Sequence, residues 1–83
     1  MIIAIKIIKL DDYWHTGEIG NCGFEAKVYD EPSEYGIEGG RISKLFVRDK
    51  QRNVILSYDR GWDVQPTDEL GKNILETIMH YFK

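Results

Sequence analysis

Only one stretch of this 83-residue chain carries a helical period, and it comes last. After Pro66, Thr67 has the side chain of an N-cap, and Asp68 and Glu69 place negative charge where a helix dipole favours it. Leu70, Ile74, Leu75, Ile78, Met79 and Phe82 then fall on one stripe. The spacing predicts an amphipathic helix of about fifteen residues. Gly71 inside it costs about 1 kcal/mol relative to alanine, which is read as a place where the helix approaches the sheet closely, a frayed first turn being the alternative.

Upstream the pattern is that of strands. Residues 2–10, IIAIKIIKL, are dense in isoleucine, whose stiff branched side chain suits a pleated surface. Both faces of that segment are apolar, so it reads as a central strand or as one whose second face is covered. A short strand fits residues 14–19, Gly20-Asn21 is a turn signal, and residues 24–29 alternate apolar and polar with period two. Residues 42–48 and 53–59 are further strands, joined by DKQR as a short hairpin connection. Residues 30–40, DEPSEYGIEGG, hold one proline, three glycines and four acids and are expected to be irregular, near the length at which a loop has a purpose or internal order. The expected architecture is α+β in the order β-β-β-β-α. One small antiparallel four-stranded sheet carries the C-terminal helix on one face, in a single domain spanning residues 1–83.

Such a core must be held by packing alone. Cys22 is the one cysteine, which leaves neither an internal disulfide nor a CxxC zinc spacing and points to a reducing compartment. With 42% hydrophobic and 30% charged residues the composition is globular and outside the disordered range. The longest apolar stretch, Met1–Ile8, is broken by Lys6 and too short for a bilayer, and no signal-peptide pattern accompanies it. A cytoplasmic protein with no membrane association is the expectation.

The net charge of −3 hides a segregated distribution. Residues 11–40 carry eight acids against Lys27, whereas residues 41–60 carry six bases against Asp49 and Asp59. Asp30, Glu31, Glu34 and Glu38 lie on the irregular loop and would create a negative surface able to steer a basic partner. The plain alternative is a solvated loop kept soluble by its charge. The basic residues Arg41, Lys44, Arg48, Lys50 and Arg52, with Arg60, sit on the predicted hairpin. They could neutralise the acidic loop within the same molecule or form a phosphate-binding strip, although nucleic-acid binders usually carry a net basic balance.

Catalytic groups are sparse. His15 and Cys22 could face each other across a turn as base and thiolate, but no orienting third group or oxyanion hole is recognisable nearby. A lone cysteine usually serves as a small buried hydrophobe. His15, Cys22 and His80 have no metal-ligand spacing, and His80 is expected at the helix edge. An acid–base pair drawn from Asp30, Glu31 and Glu34 would need burial that a mobile loop does not provide. Gly36, Gly39 and Gly40 match neither GxGxxG nor a Walker loop. No cofactor and no metal is expected. Aromatic residues carry more weight: Trp14, Tyr29, Tyr35, Tyr58 and Trp62 fall at strand ends or in loops, and Trp, Tyr and Arg dominate binding hot spots. Trp62 reads first as a core residue. Asp59–Arg60 and Arg60–Asp63 would be local ion pairs setting a strand-to-helix turn.

Within residues 14–66 the strings AKVYDEPSEYGI, GGRISKL and YDRGWD resemble a family of short uncharacterised proteins encoded by Firmicute phages, plasmids and conjugative elements. The resemblance implies that the irregular loop is a family feature shaped by Pro32, Tyr35, Gly36, Gly39 and Gly40, and that the chain belongs among mobile-element accessory functions. In size, charge and lack of catalytic motifs it is similar to inhibitors of host defence, anti-CRISPR proteins included, an analogy of build without a shared motif. The expected function is therefore that of a non-enzymatic inhibitor of a host or element-encoded protein, a CRISPR effector being one such partner. Asp30, Glu31, Glu34 and Glu38 would meet a basic surface, with Tyr35 and Trp14 as apolar anchors. The alternatives are a nucleic-acid-associated accessory protein using Arg41, Lys44, Arg48, Lys50 and Arg52, an enzyme around His15 and Cys22, and a module that self-associates, as a homodimer, through a sheet edge.

Overall fold

A computed structural model describes residues 3–83, so Met1 and Ile2 of the N-terminal apolar run lie outside the described residues. Among the described residues six strands follow one another: β1 (Ile5–Asp11), β2 (Trp14–Ile19), β3 (Cys22–Val28), β4 (Ile42–Arg48), β5 (Val54–Asp59) and β6 (Trp62–Val64). They form a single antiparallel sheet in chain order, each strand paired with its neighbour, and one helix, α1 (Glu69–Tyr81), comes after them. The α+β class and the C-terminal helix stand as expected. The four-stranded sheet is corrected to six strands.

All five segments read as strands join the sheet, and the sixth strand, β6, is easily explained. Residues 59–64 were expected to form a turn into the helix, yet Arg60 adopts φ +59° and Gly61 follows it, so the chain reverses within two residues. Trp62 then pairs with Tyr58 and Val64 with Ser57. The expected local ion pairs do not form: Asp59 meets Lys44 at 3.4 Å, and the Arg60 guanidinium lies 4.4 Å from the Tyr35 ring centre. Gly20 takes φ +58° in the tight β2–β3 turn, as the Gly20-Asn21 signal predicts. At the β4–β5 turn the Asp49 carboxylate accepts from the backbone N–H groups of Gln51 and Asn53, both at 2.9 Å.

Period-two alternation places Ile19, Phe24, Ala26, Leu45, Val47, Leu56 and Tyr58 on the face toward α1, where they are buried in one cluster. The helix contributes Ile74 and Ile78 to it and its C-cap residue Phe82 a third side chain, with Leu75 and Met79 packed at the margin. Leu70, assigned to the stripe by spacing, is instead 51% exposed, and its neighbour Gly71 is the buried residue of the first turn. Asp68, not Thr67, is the N-cap, its side chain accepting from Gly71 N–H at 2.8 Å. Gly71 is buried, and a Cβ there would meet the Pro66 Cβ at 3.0 Å and Ile55 Cγ2 at 3.5 Å, which is the close approach expected of it.

β1 departs from expectation. Its two apolar faces predicted a central or covered strand, yet it pairs only with β2 and forms an edge among the described residues. A bulge between Ile7 and Lys9 shifts the register, leaving Ile8 and Leu10 about three-fifths exposed at 60% and 61%. Lys6, Lys9 and the bulge are the devices by which natural sheets discourage pairing at an edge.

Two substitutions check this helix docking by urea unfolding. Ile78→Ala should cost about 2–5 kcal/mol through the cavity it leaves, while Leu70→Ala should stay within about 0.5 kcal/mol.

Candidate functional site

The connection between β3 and β4 folds back onto the molecule. Ser33 N–H donates to Gly40 C=O (3.1 Å), Gly36 N–H to Ser33 C=O (3.0 Å) and Tyr35 N–H to Ser33 Oγ (3.0 Å), and a single 3₁₀ turn, Ile37–Gly39, closes the segment. Gly36 is buried against the Gly40 carbonyl so tightly that a Cβ would overlap it. Ile37 reaches the core cluster, 3% exposed. The Tyr58 hydroxyl donates to Tyr35 C=O at 2.8 Å, and Arg60 covers the Tyr35 ring. This loop is ordered by its own hydrogen bonds and by an apolar plug.

Asp30, Glu31, Glu34 and Glu38 are all exposed on it, and none forms an ion pair among the described residues. Glu38 holds a left-handed backbone, φ 51° and ψ 34°, a conformation that costs a non-glycine residue about 1 kcal/mol or more. Of the basic residues expected to neutralise them, Arg60 lies against the loop, on the Tyr35 ring and not on a carboxylate, and the others go elsewhere. Lys44 pairs with Asp59 and Arg48 with Glu25 at 3.7 Å, while Lys50 and Arg52 occupy the β4–β5 turn, exposed and at the opposite end of the sheet. Arg41 reaches the last turn of α1. Its Nη2 donates to Phe82 C=O at 3.0 Å, Nε to the same oxygen at 3.3 Å, and Nη1 to Tyr29 C=O at 3.3 Å. A guanidinium among the unpaired carbonyls of a helix C-terminus is favourable for both hydrogen bonding and the helix dipole. The five residues of the alternative nucleic-acid strip are therefore dispersed over three places.

Trp14 and Tyr35, expected to act together as anchors, are on opposite sides of the sheet. Cross-strand pairing places Trp14, Lys27, Lys44 and Asp59 in one row on the face away from the helix. There Trp14 lies near-parallel to Phe46, with ring centres 6.3 Å apart. The Lys27 ammonium sits 5.8 Å from the Trp14 ring and 5.5 Å from the Tyr29 ring, and Tyr13 packs on Tyr29 at 4.9 Å. Tyr35, 48% exposed, stands on the helix side beside the acidic loop. Sequence reasoning missed Phe46 and Tyr13 as surface aromatics; the polar phase of the alternation in 42–48 already assigns Phe46 to the outer face.

His15 and Cys22 do not meet. His15 pairs with Ala26 and packs edge-on against Phe82, ring centres 4.8 Å apart, whereas Cys22 pairs with Ile19 at the other end of β3. Burial, with a smaller contribution from the Asp49 charge, pushes the Cys22 thiol above its ordinary value of 9.0, the opposite of an activated nucleophile. His80 is exposed on the last turn of α1. Among the described residues no group of three His, Cys, Asp or Glu side chains comes together to hold a metal ion, and no helix is long and apolar enough to cross a membrane.

A cleft of about 800 Å³ opens between the acidic loop and the end of α1. Ile37, Ile42, Met79 and Phe82 supply its apolar surface, and Asp30, Glu38, Arg41 and Lys83 its polar border.

Arg41→Ala should lower stability by about 1–3 kcal/mol and speed amide exchange in the last turn of α1. Arg41→Lys should restore only part of that, since an ammonium cannot fork between the carbonyls. Because the Cys22 thiol ionises more readily in the unfolded chain, its contribution should lower stability as pH rises above the ordinary thiol value of 9.0. Urea midpoints of wild type and Cys22→Ala between pH 8 and pH 10 measure the difference.

No curated protein and no solved structure matches this chain. Residues 13–83 match the family described as a domain of unknown function, DUF7678. The match takes in every element from β2 to α1, the acidic loop and the cleft beside it, so the chain is a member of the DUF7678 family.

Proposed function

We propose that this chain is a non-enzymatic binding protein that inhibits its partner by covering a basic surface with the acidic loop. The observation that carries this reading is an ordered loop bearing four exposed carboxylates that form no ion pair among the described residues. A loop already fixed by the Ile37 plug and its own hydrogen bonds loses little freedom on binding. Its charge is also presented at fixed positions, which favours electrostatic steering and register. Tyr35, held at its backbone by Tyr58 and covered on one side by Arg60, supplies an aromatic contact at the edge of the charged surface.

The resemblance to proteins of phages and conjugative elements directs the search for that partner to nucleic-acid-handling proteins of a bacterial host, CRISPR effectors among them. Inhibition would be steric and electrostatic, with the carboxylates occupying a surface that otherwise receives phosphates. Trp14, on the far side of the sheet, belongs to a separate surface and takes no part in this contact. A nucleic-acid-binding role for the basic residues draws less support, since Arg41 serves the helix terminus and Lys44 and Arg48 are paired with carboxylates.

The double variant Glu31→Lys, Glu34→Lys tests the reading in a tagged pull-down from host cytoplasm, followed by association kinetics at several salt concentrations. Wild type should capture a basic protein that elutes with salt. The variant should fold normally, associate about tenfold or more slowly and show a flatter salt dependence. Unchanged capture by the variant would remove the acidic loop from the contact.

A further inference from the structure

We infer that the cleft between the acidic loop and the C-terminal end of α1 seats an apolar side chain carried on a basic segment of a protein partner. This deepens the binding role proposed above and rests on it. The cleft holds about 800 Å³, within the range of about 300–1,000 Å³ typical of sites that enclose a compact ligand. That is room for one large aliphatic or aromatic side chain with its adjoining backbone.

Its surface is two-fold in character. Ile37, Ile42 and Phe82 are core residues that show one edge to the cleft, and Met79 is half-buried beside them. A flexible thioether adapts to side chains of differing shape. At the border of this apolar surface Asp30 and Glu38 stand against Arg41 and Lys83, and the adjoining loop adds Glu31 and Glu34. Residues 30–40 carry four carboxylates and no base, and the C-terminal carbonyls of α1 point the negative end of the helix dipole at the same place. Arg41 is the guanidinium inside the cleft, and its donors are engaged by the carbonyls of Phe82 and Tyr29. Lys83 stands at the border. A lysine- or arginine-rich segment with one apolar residue would satisfy both parts, its cations reaching Asp30, Glu31, Glu34 and Glu38 while the apolar side chain displaces water from the cleft.

The test is an NMR titration of the isotope-labelled protein with three nonapeptide probes. One has a central leucine among lysines and arginines, one has glycine in place of that leucine, and one keeps the leucine among glutamines. The leucine–basic peptide should shift the methyl signals of Ile37, Ile42 and Met79 together with the loop amides, and bind about fivefold to tenfold more tightly than the glycine peptide. The glutamine peptide should shift neither set. Met79→Gln, verified as folded by its thermal melt, should abolish the advantage of leucine over glycine and leave the glycine peptide's affinity unchanged. Equal binding of the leucine and glycine peptides, with shifts confined to the loop, would overturn the cleft assignment and leave the acidic-loop reading standing. Binding of the glutamine peptide as tight as the basic one would show the charge complementarity to be wrong. Cleft shifts that grow with protein concentration alone would identify a second copy as the occupant and overturn the proposal. No shifts with any probe would overturn the cleft assignment and the acidic-loop reading together.

Discussion

The width of the sheet exceeds what one helix can cover, and much of the molecule follows from that mismatch. Six strands spaced about 4.8 Å apart span about 24 Å, whereas a helix with its side chains is about 10–12 Å across. Ile74, Ile78 and Phe82 cover the middle of the sheet over Ile19, Phe24, Leu45 and Leu56. On the β5–β6 flank the cover is completed by Ile37 from the β3–β4 connection and by Trp62, which packs edge-on against Tyr58 at 5.0 Å. Among the described residues no second element covers the flank at β1, and Ile8 and Leu10 remain exposed there. The acidic loop is thus a structural element first: its apolar centre closes the core, and its carboxylates are held outward as a result.

Electrostatics inside the molecule sharpen the separation of charge. Two of the bases following the loop meet carboxylates on the outer face of the sheet, and Arg41 caps α1. Each finds an acceptor nearer than the loop, so the loop's charge is left for solvent or a partner. Arg41 also joins the end of β3 to the end of α1 through Tyr29 and Phe82. The geometry of the cleft therefore depends on the docking of the helix.

Much of the fold was legible where one face is buried and the other wet. The strand at 42–48 coincides with its apolar alternation, and the Gly20-Asn21 turn and the Ile74, Ile78, Phe82 stripe stand as read. β1 misled because two apolar faces look alike whether a strand lies at the centre or at a bulged edge; only pairing distinguishes them. β6 was hidden because a three-residue strand leaves no period to detect and its turn relies on Arg60 entering a left-handed backbone. Of the site, the acidic residues were visible as composition, but the order of their loop was not. It depends on contacts far apart in sequence, Tyr58 with Tyr35 and Ile37 with the core. The separation of Trp14 from Tyr35 likewise depends on which face each strand presents, which no spacing within a single segment reveals.

The chain-order meander has a consequence for how the protein comes into being. Every strand pairs with the one made just before it, and the long β3–β4 connection is the widest gap that strand pairing has to close. Pairing can therefore proceed as the chain leaves the ribosome, favoured by its local topology. The principal cover of the apolar face, however, is encoded after all six strands. Throughout synthesis the growing sheet presents Phe24, Leu45 and Leu56 to solvent with no helix upon them, a nascent state for which chaperone contact, or speed in completing the final segment, is the natural safeguard.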